Sequence, residues 1–375
     1  MEKSMNDRVT RTTKNDRIID FFRSRIQDGT YKPNQRLPSE IALCSRFGVT
    51  RATVGRALRE LEHAGLIMRR QGSGSFVRQP DEHRTLTFGL LVPSLGEGEI
   101  FEPICNAIAT ATASHRHRLL WGQFSSSEAS DRCVQSERLC QSYIEQKVDG
   151  VFFAPIELAD NMYESNERIV GLLSAQGIPV VLLDQDVVKF PERSAFDLVG
   201  IDNRRAGYVL ANHLLEQGCE RIAFVAHPHS AQTVDARIAG YREALLDQHQ
   251  CIDIDRVHFG DPDDPAFIDA LLKGKQRPDA VMCANDYTAA KLIAALLRRG
   301  VQIPDDIRVT GVDDLKYAGL LTVSLTTIRQ PCRAMGEAAA HALFERADHP
   351  AMPGRDILLD FQLVPRNSSG LAGVR

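Results

Sequence analysis

Residues 33–77 read PNQRLPSEIALCSRFGVTRATVGRALRELEHAGLIMRRQGSGSFV, and this stretch decides how the rest of the chain is understood. Ser39 stands where it can cap a short helix, EIALCSRF, which Gly48 closes. Thr50 is placed to cap a second, RATVGRALRELEHA, with Val54, Leu58 and Leu61 on one face and Gly65 as its stop. LIMRRQGSGSFVR then reads as two short strands about a Gly-Ser-Gly tip. Upstream, NDRIIDFFRSRIQDG (15–29) sets Ile18, Phe22 and Ile26 four apart and ends on Gly29, an amphipathic helix. Three helices and a hairpin spell a winged helix-turn-helix over residues 15–78, behind a polar tail, 1–14, expected to be disordered.

Charge supports a nucleic-acid role for this head. Residues 1–80 hold 16 Lys/Arg against 8 Asp/Glu, whereas residues 81–375 hold 29 against 41. A basic head on an acidic body confines phosphate contact to the head. The helix at 50–64 is expected in the major groove, with Thr50, Arg51 and Thr53 in its first turn. Arg51 can bond guanine bidentately, while Arg56 and Arg59 lie further along, where phosphate is the natural partner. Arg69, Arg70, Gln71, Gly72, Ser73 and Gly74 form the wing, whose bare backbone can approach the minor groove or the sugar-phosphate. Ser39, at the entry of the short helix, joins the DNA-facing set. For any single arginine, a solvated helix face is the competing reading; for the cluster it is much weaker.

After a polar linker at 79–85 the texture changes. Apolar runs such as LTFGLLV, DGVFFAPI and IPVVLLD alternate with helical patterns, and a second set follows: DLVGID, RIAFVAH, RVHFG, DAVMCAN and IRVTGVDD. Strands without in–out alternation, separated by helices, indicate parallel sheets covered on both faces. Two such sets make residues 86–375 a two-lobed α/β body. Ligands in such folds sit at the carboxyl ends of strands. The polar residues there are Asp184, Asp202-Asn203, Asn285-Asp286 and Asp313-Asp314, with Arg237 opening the helix RIAGYREAL. Acceptors with one arginine suit a neutral polyhydroxylated ligand, because each hydroxyl both donates and accepts. A strand-end Asp or Asn is as often a helix cap.

Two resemblances add to this reading. The segment 33–77, with its Leu-Pro-Ser-Glu turn, Gly-Val-Thr-Arg entry and Gln-Gly-Ser-Gly-Ser-Phe-Val wing, resembles GntR-type winged-helix regulators. It departs from them at Ile41 and Gly55, both commonly arginine there, which implies a shifted or shorter base set. Residues 86–367, through IPVVLLDQ, VGIDNRRAGYVLANHLLEQGCERIAFVAH, VMCANDYTAAKLIAALLRRGVQIPDDIRVTGVDD and LTTIRQP, resemble LacI/GalR-type effector domains, which share the fold of periplasmic sugar-binding proteins. That resemblance implies lobe crossings near residues 202, 330 and 360. It also implies sugar contacts at Arg237, Asn285, Asp313 and Gln330, and an acidic contact at Asp184. Phe101 is either an aromatic platform for the sugar or a core residue. Gln185 stands where pentose-binding relatives commonly have arginine. The pairing of head and body resembles arabinose-repressor-type regulators, which implies a homodimeric repressor on a near-palindromic operator, released or recruited by a small sugar-like effector.

Other classes fit less well. The chain shows no nucleophile elbow, Walker loop, paired metal ligands or Schiff-base lysine, so an enzyme with a sugar-processing body is the alternative and no cofactor is expected. His227-Pro-His229 lacks a third metal partner. The N-terminus has no apolar h-region and no apolar run approaches a membrane span, which argues against a secreted transport protein. Eight cysteines without a C-x-x-C suit a reducing, cytoplasmic setting.

Overall fold

The computed structural model describes residues 14–63, 65–70, 74–77, 85–93, 100–122, 129–247, 256–273 and 277–370. Two units emerge, residues 1–84 and 85–375. The tail expected over 1–14 lies outside the described residues except Lys14, which already belongs to the first helix; most of the linker, 79–84, also lies outside.

The head contains α1 (Lys14–Gln27), α2 (Glu40–Phe47), α3 (Arg51–His63), β1 (Ile67–Arg70) and β2 (Gly74–Val77). Ser39 Oγ accepts from the Ala42 N–H at 3.3 Å, and Gly48 ends α2 with φ +61°, its N–H donated to the Cys44 carbonyl. The strands pair antiparallel, Ile67 opposite Val77. Ile18, Phe22, Leu43, Val54, Leu58 and Leu61 close into one core with Ile67 and Val77. Each such side chain contributes about 1.5–3 kcal/mol through burial, so the helical periodicity and the hairpin register serve the same small core.

Among the described residues the body holds two six-stranded sheets. The first contains β3 (Thr87–Leu91), β4 (Arg118–Trp121), β5 (Gly150–Phe153), β6 (Val180–Leu183), β7 (Asp197–Ile201) and β13 (Asp356–Leu359), in the order β13-β7-β6-β5-β3-β4. Its helices are α4 (Phe101–Ser114), α5 (Ala129–Glu145), α6 (Met162–Ala175) and α11 (Cys332–Asp348), and α11 packs on α4. The second contains β8 (Ile222–Ala226), β9 (Val257–Phe259), β10 (Ala280–Cys283), β11 (Arg308–Asp313), β12 (Thr326–Arg329) and β14 (Gln362–Val364), in the order β14-β12-β11-β10-β8-β9. With it go α7 (Asn203–Glu216), α8 (Gln232–Asp247), α9 (Pro265–Leu272) and α10 (Asp286–Arg298). The parallel expectation needs one correction: β14 runs antiparallel to β12, because the chain enters the second sheet directly from β13 of the first, without a crossover helix to reverse its direction.

The chain passes between sheets after β7, after β12 and after β13, through Asp202, Gln330 and Asp360. The last passage is secured from beneath. Asp197 on β7, 0% exposed, accepts from Arg346 of α11 at 2.7 Å and from Arg355, just before β13, at 3.1 Å. In the second lobe α7 and α8 touch backbone to backbone. A Cβ at Gly207 would lie 2.0 Å from the Arg237 carbonyl oxygen, and one at Gly240 1.8 Å from that of Arg204. These two glycines set where Arg237 sits.

Candidate functional site

The head presents α3 as expected by its pattern. Thr50 Oγ1 lies 3.0 Å from Thr53 Oγ1 and accepts from the Thr53 N–H at 3.4 Å, capping the helix. Arg51 is exposed, and its Nε donates to Glu40 Oε2 at 2.8 Å. Arg69 on β1 donates through Nη2 to the other oxygen of the same carboxylate at 2.9 Å. Glu40 thus joins α2, α3 and the hairpin, and the Arg51 bond is the main reason its carboxyl sits below the usual range, with Arg69 and Arg59 adding to it. Sequence reading did not single Glu40 out, although its place directly after Ser39 was in view. Arg56 turns to Glu60 one turn along, at 3.1 Å. Gly74 opens β2 with φ +107°, beside the Arg36 guanidinium. Arg70 is placed as backbone on β1, and Gln71, Gly72 and Ser73 lie outside the described residues. Beside Glu40, Ile41 is 73% exposed on the first turn of α2.

In the body, the strand-end residues separate into two groups. Asp202 caps α7 by accepting from the Arg205 N–H at 2.9 Å. Asn285 caps α10, its Oδ1 accepting from the Thr288 N–H and hydroxyl at 2.9 and 2.8 Å. Asp286 accepts from Thr327 Oγ1 and the Leu315 N–H, and Asp314 pairs with Arg329 and Arg366. These four carboxyl and amide groups hold the fold.

Asp184 and Asp313 are different. Both leave their strands with positive φ, +72° and +126°, a conformation that points to constraint at a site. Asp313 accepts from Gln330 Nε2 at 2.8 Å, and Gln330 comes from the passage after β12. Asp184 Oδ1 and Gln330 Oε1 are buried with no hydrogen-bond partner among the described residues. Arg237, 5% exposed, is held by Nε to Asn203 Oδ1 at 2.8 Å and by Nη1 to the Ala284 carbonyl at 2.6 Å. Its charge acts on Asp184 and Asp313 from the second lobe. Phe101 is 8% exposed and packs in the apolar cluster with Phe88 and Ile104, so as placed its ring is core.

One member of this group escaped the sequence reading. Glu157, in the connection from β5 to α6, is pushed up to about 7 by burial and by the neighbouring Asp184 charge, against the pull of Arg237 and Arg132 and the Ala231 N–H. Burial likewise raises Asp313 to about 7, with Asp184 and Glu157 adding to it and Arg237 and Gln330 opposing. The rule that looks for polar residues at strand ends applies equally to Glu157; the apolar continuation Ala-Pro-Ile after β5 hid where that strand stops. Asp184 lines a recess of about 810 Å³ with Asn203, Lys189 and Gln232, and Asp313 and Gln330 line another of about 600 Å³ with Glu102 and Arg333. Arg237 lines neither, and its charge acts on Asp184, Asp313 and Glu157. Among the described residues no group of three His, Cys, Asp or Glu could hold a metal ion, and no helix is long and apolar enough to cross a membrane.

A winged head whose arginines meet on one carboxylate, followed by a body with carboxylates converging on a buried arginine, defines a two-part regulator: a DNA-binding module joined to a ligand-binding one. Residues 14–77 match the model for bacterial regulatory proteins of the gntR family, and residues 211–369 match that for the periplasmic binding protein-like domain. Over 358 residues the chain is 29% identical to the arabinose metabolism transcriptional repressor of Geobacillus stearothermophilus, covering 92% of this chain and 94% of that protein. Among solved structures it is similar to the transcription regulator GntR of Chromobacterium violaceum, at 29% identity and a TM-score of 0.61, covering 76% of this chain and 99% of that one. A LacI family regulator of Enterococcus faecium with bound ribose superposes with a TM-score of 0.60 at 25% identity, covering 75% and 98%.

Proposed function

We propose that this chain is a cytoplasmic transcription repressor that binds operator DNA as a homodimer and is controlled by a small neutral sugar or polyol held between the lobes of its body. The observation that carries the reading is the pair of buried acceptors, Asp184 Oδ1 and Gln330 Oε1, beside Arg237 and Glu157. A buried polar atom without a partner is costly, so this site favours a ligand rich in donors. Three carboxylates (Glu157, Asp184, Asp313) against two guanidiniums (Arg132, Arg237) disfavour a phosphorylated or acidic sugar. Asp184, Asp313 and Gln330 take hydroxyls, Arg237 sets the charge of the two carboxylates from behind, and Asn285 supports the site through α10.

On the DNA side, Arg51 reads base edges while Thr50, Thr53, Arg56 and the wing from Arg69 to Gly74 fix the head on the backbone. Ligand works by binding one arrangement of the lobes more tightly than another; moving a two-state balance from 1:99 to 99:1 takes about 5.5 kcal/mol of such preference. The test is an operator-binding titration against pentoses, hexoses, sugar alcohols and their phosphates, with sugars first chosen by thermal shift. One unphosphorylated sugar is expected to change operator affinity, and affinity is expected to fall steeply with salt. A sugar that binds the body yet leaves operator affinity untouched would sink the regulatory reading.

The raised carboxylates favour a second reading, acid–base chemistry on a bound sugar. Recovery of the sugar unchanged after prolonged incubation separates the binder from the enzyme.

A further inference from the structure

We infer that the two lobes are fastened across the mouth of the cleft by a clasp, with Gln232 as its pin, and that this clasp sets how readily the body opens. Gln232 begins α8 in the second lobe, yet its partners are in the first. Its Nε2 donates to the Val188 carbonyl at 2.6 Å and to that of Asp186 at 3.4 Å. Its Oε1 accepts from the Phe190 N–H at 3.1 Å, and its own N–H donates to Gln185 Oε1 at 3.3 Å. The side-chain amide therefore engages three residues, 186, 188 and 190, of the segment that follows β6, and the backbone N–H of Gln232 a fourth, Gln185.

A second row of contacts runs alongside. The Leu158 N–H donates to the His229 carbonyl at 2.9 Å, His229 Nε2 lies 3.1 Å from Asp160 Oδ1, and the Ala231 N–H donates to Glu157. Lys189 lies over the Tyr163 ring at 4.2 Å, and Asp235 of α8 faces both.

The backbone supports the same conclusion. Leu158 and His229 both take φ +58°, and Asp184, next to Gln185, takes +72°. Residues with a Cβ rarely adopt this conformation, and they hold it only where the surroundings over-determine it, as at ligand clamps and switch segments. Here such residues meet face to face across the lobes, so opening the cleft breaks the clasp and relaxes them together. Release is then cooperative rather than one bond at a time.

The clasp itself is independent of any ligand; only its effect on residence time rests on the cleft being the effector site. Hydrogen exchange on the full chain without added sugar tests it. In Gln232→Ala the Leu158 amide, whose own bond is left intact, is expected to exchange at least tenfold faster relative to the Val151 and Ala284 amides, which lie within single lobes. Gln232→Glu keeps an acceptor for Phe190 but loses both donors, and is expected to do the same. Deprotection of Phe190 alone, with the Leu158 ratio unchanged in both variants, would overturn the clasp as a unit. The sugar selected by thermal shift is then expected to leave Gln232→Ala about tenfold faster than the unaltered chain; an equal rate with Leu158 freed would overturn the clasp's hold on the ligand. If Leu158 responds while no sugar binds either form, the clasp stands and the effector reading of the cleft falls.

Discussion

Glu40 gives the head a fixed arrangement of positive charge, because one carboxylate bonds Arg51 from α3 and Arg69 from β1. Replacing it as Glu40→Gln removes a negative charge from beside Arg51 and Arg69 while letting both guanidiniums wander. Binding to random duplex is therefore expected to hold or strengthen, whereas preference for operator over random duplex falls about tenfold, the effect of one weakened base contact. Fluorescence anisotropy on both duplexes at one salt concentration reads this ratio, and an unchanged ratio removes Glu40 from specificity. Gly55 offers the opposite case. Beyond the backbone of its own helix, no atom of the described residues lies within 4 Å of where its Cβ would stand, so nothing described in the folded head requires glycine there. Gly55→Ala is expected to stabilise the head by about 0.5–1 kcal/mol, seen as a higher Tm. Residue identity singled out Arg51, Arg237, Asp184 and Asp313 as candidates, from what guanidiniums and strand-end acids do. It did not reveal which strand-end groups were already occupied. Asn285 and Asp202 look the same in sequence as Asp184, and only their neighbours one turn along show that they cap helices.

At the scale of elements, the passage from β12 through α11 to β13 rests on a buried ion network. Asp197→Ala would leave Arg346 buried without its carboxylate partner, at an expected cost of about 3–5 kcal/mol, measurable by urea denaturation. Burial alone would raise the Asp197 carboxyl, but hydrogen bonds from Arg355 and Arg346 outweigh it and hold the group below its ordinary range. A depressed folded-state value means the stabilisation is complete above about pH 4 and is lost as pH falls through the folded value. Stability of the unaltered chain should thus decline below pH 4 more steeply than that of Asp197→Asn. The head and the strands from β3 to β11 were legible because each is a local pattern bounded by its own turn residues. β13 and β14 were not: DILL and QLV are three or four residues long, and their partners lie about 160 and 35 residues earlier. Nothing in so short a segment says which sheet it will complete, or that β14 will run antiparallel.

Over the whole molecule, effector binding is expected to be linked to protons. Glu157 and Asp313 both sit near 7, above their ordinary values, so their contribution to stability is present at low pH and is lost as pH rises from about 4 through 7. A ligand that donates hydrogen bonds favours the ionised carboxylates and so lowers their values in the complex. Sugar affinity should therefore rise between pH 6 and 8 and level off above, with protons released on binding near pH 7. Calorimetry in two buffers of different ionisation enthalpy would detect this, and identical heats would count against carboxylate contacts with the sugar. The three passages between sheets also govern how the protein is made. The head is complete once residue 77 has left the ribosome, and it buries its core from contiguous chain. The first lobe begins at Thr87 yet lacks its edge strand until Leu359 is synthesised. For most of translation a finished DNA-binding module precedes an unfinished lobe, and a message truncated before codon 359 would yield a head attached to a body in which neither sheet can close.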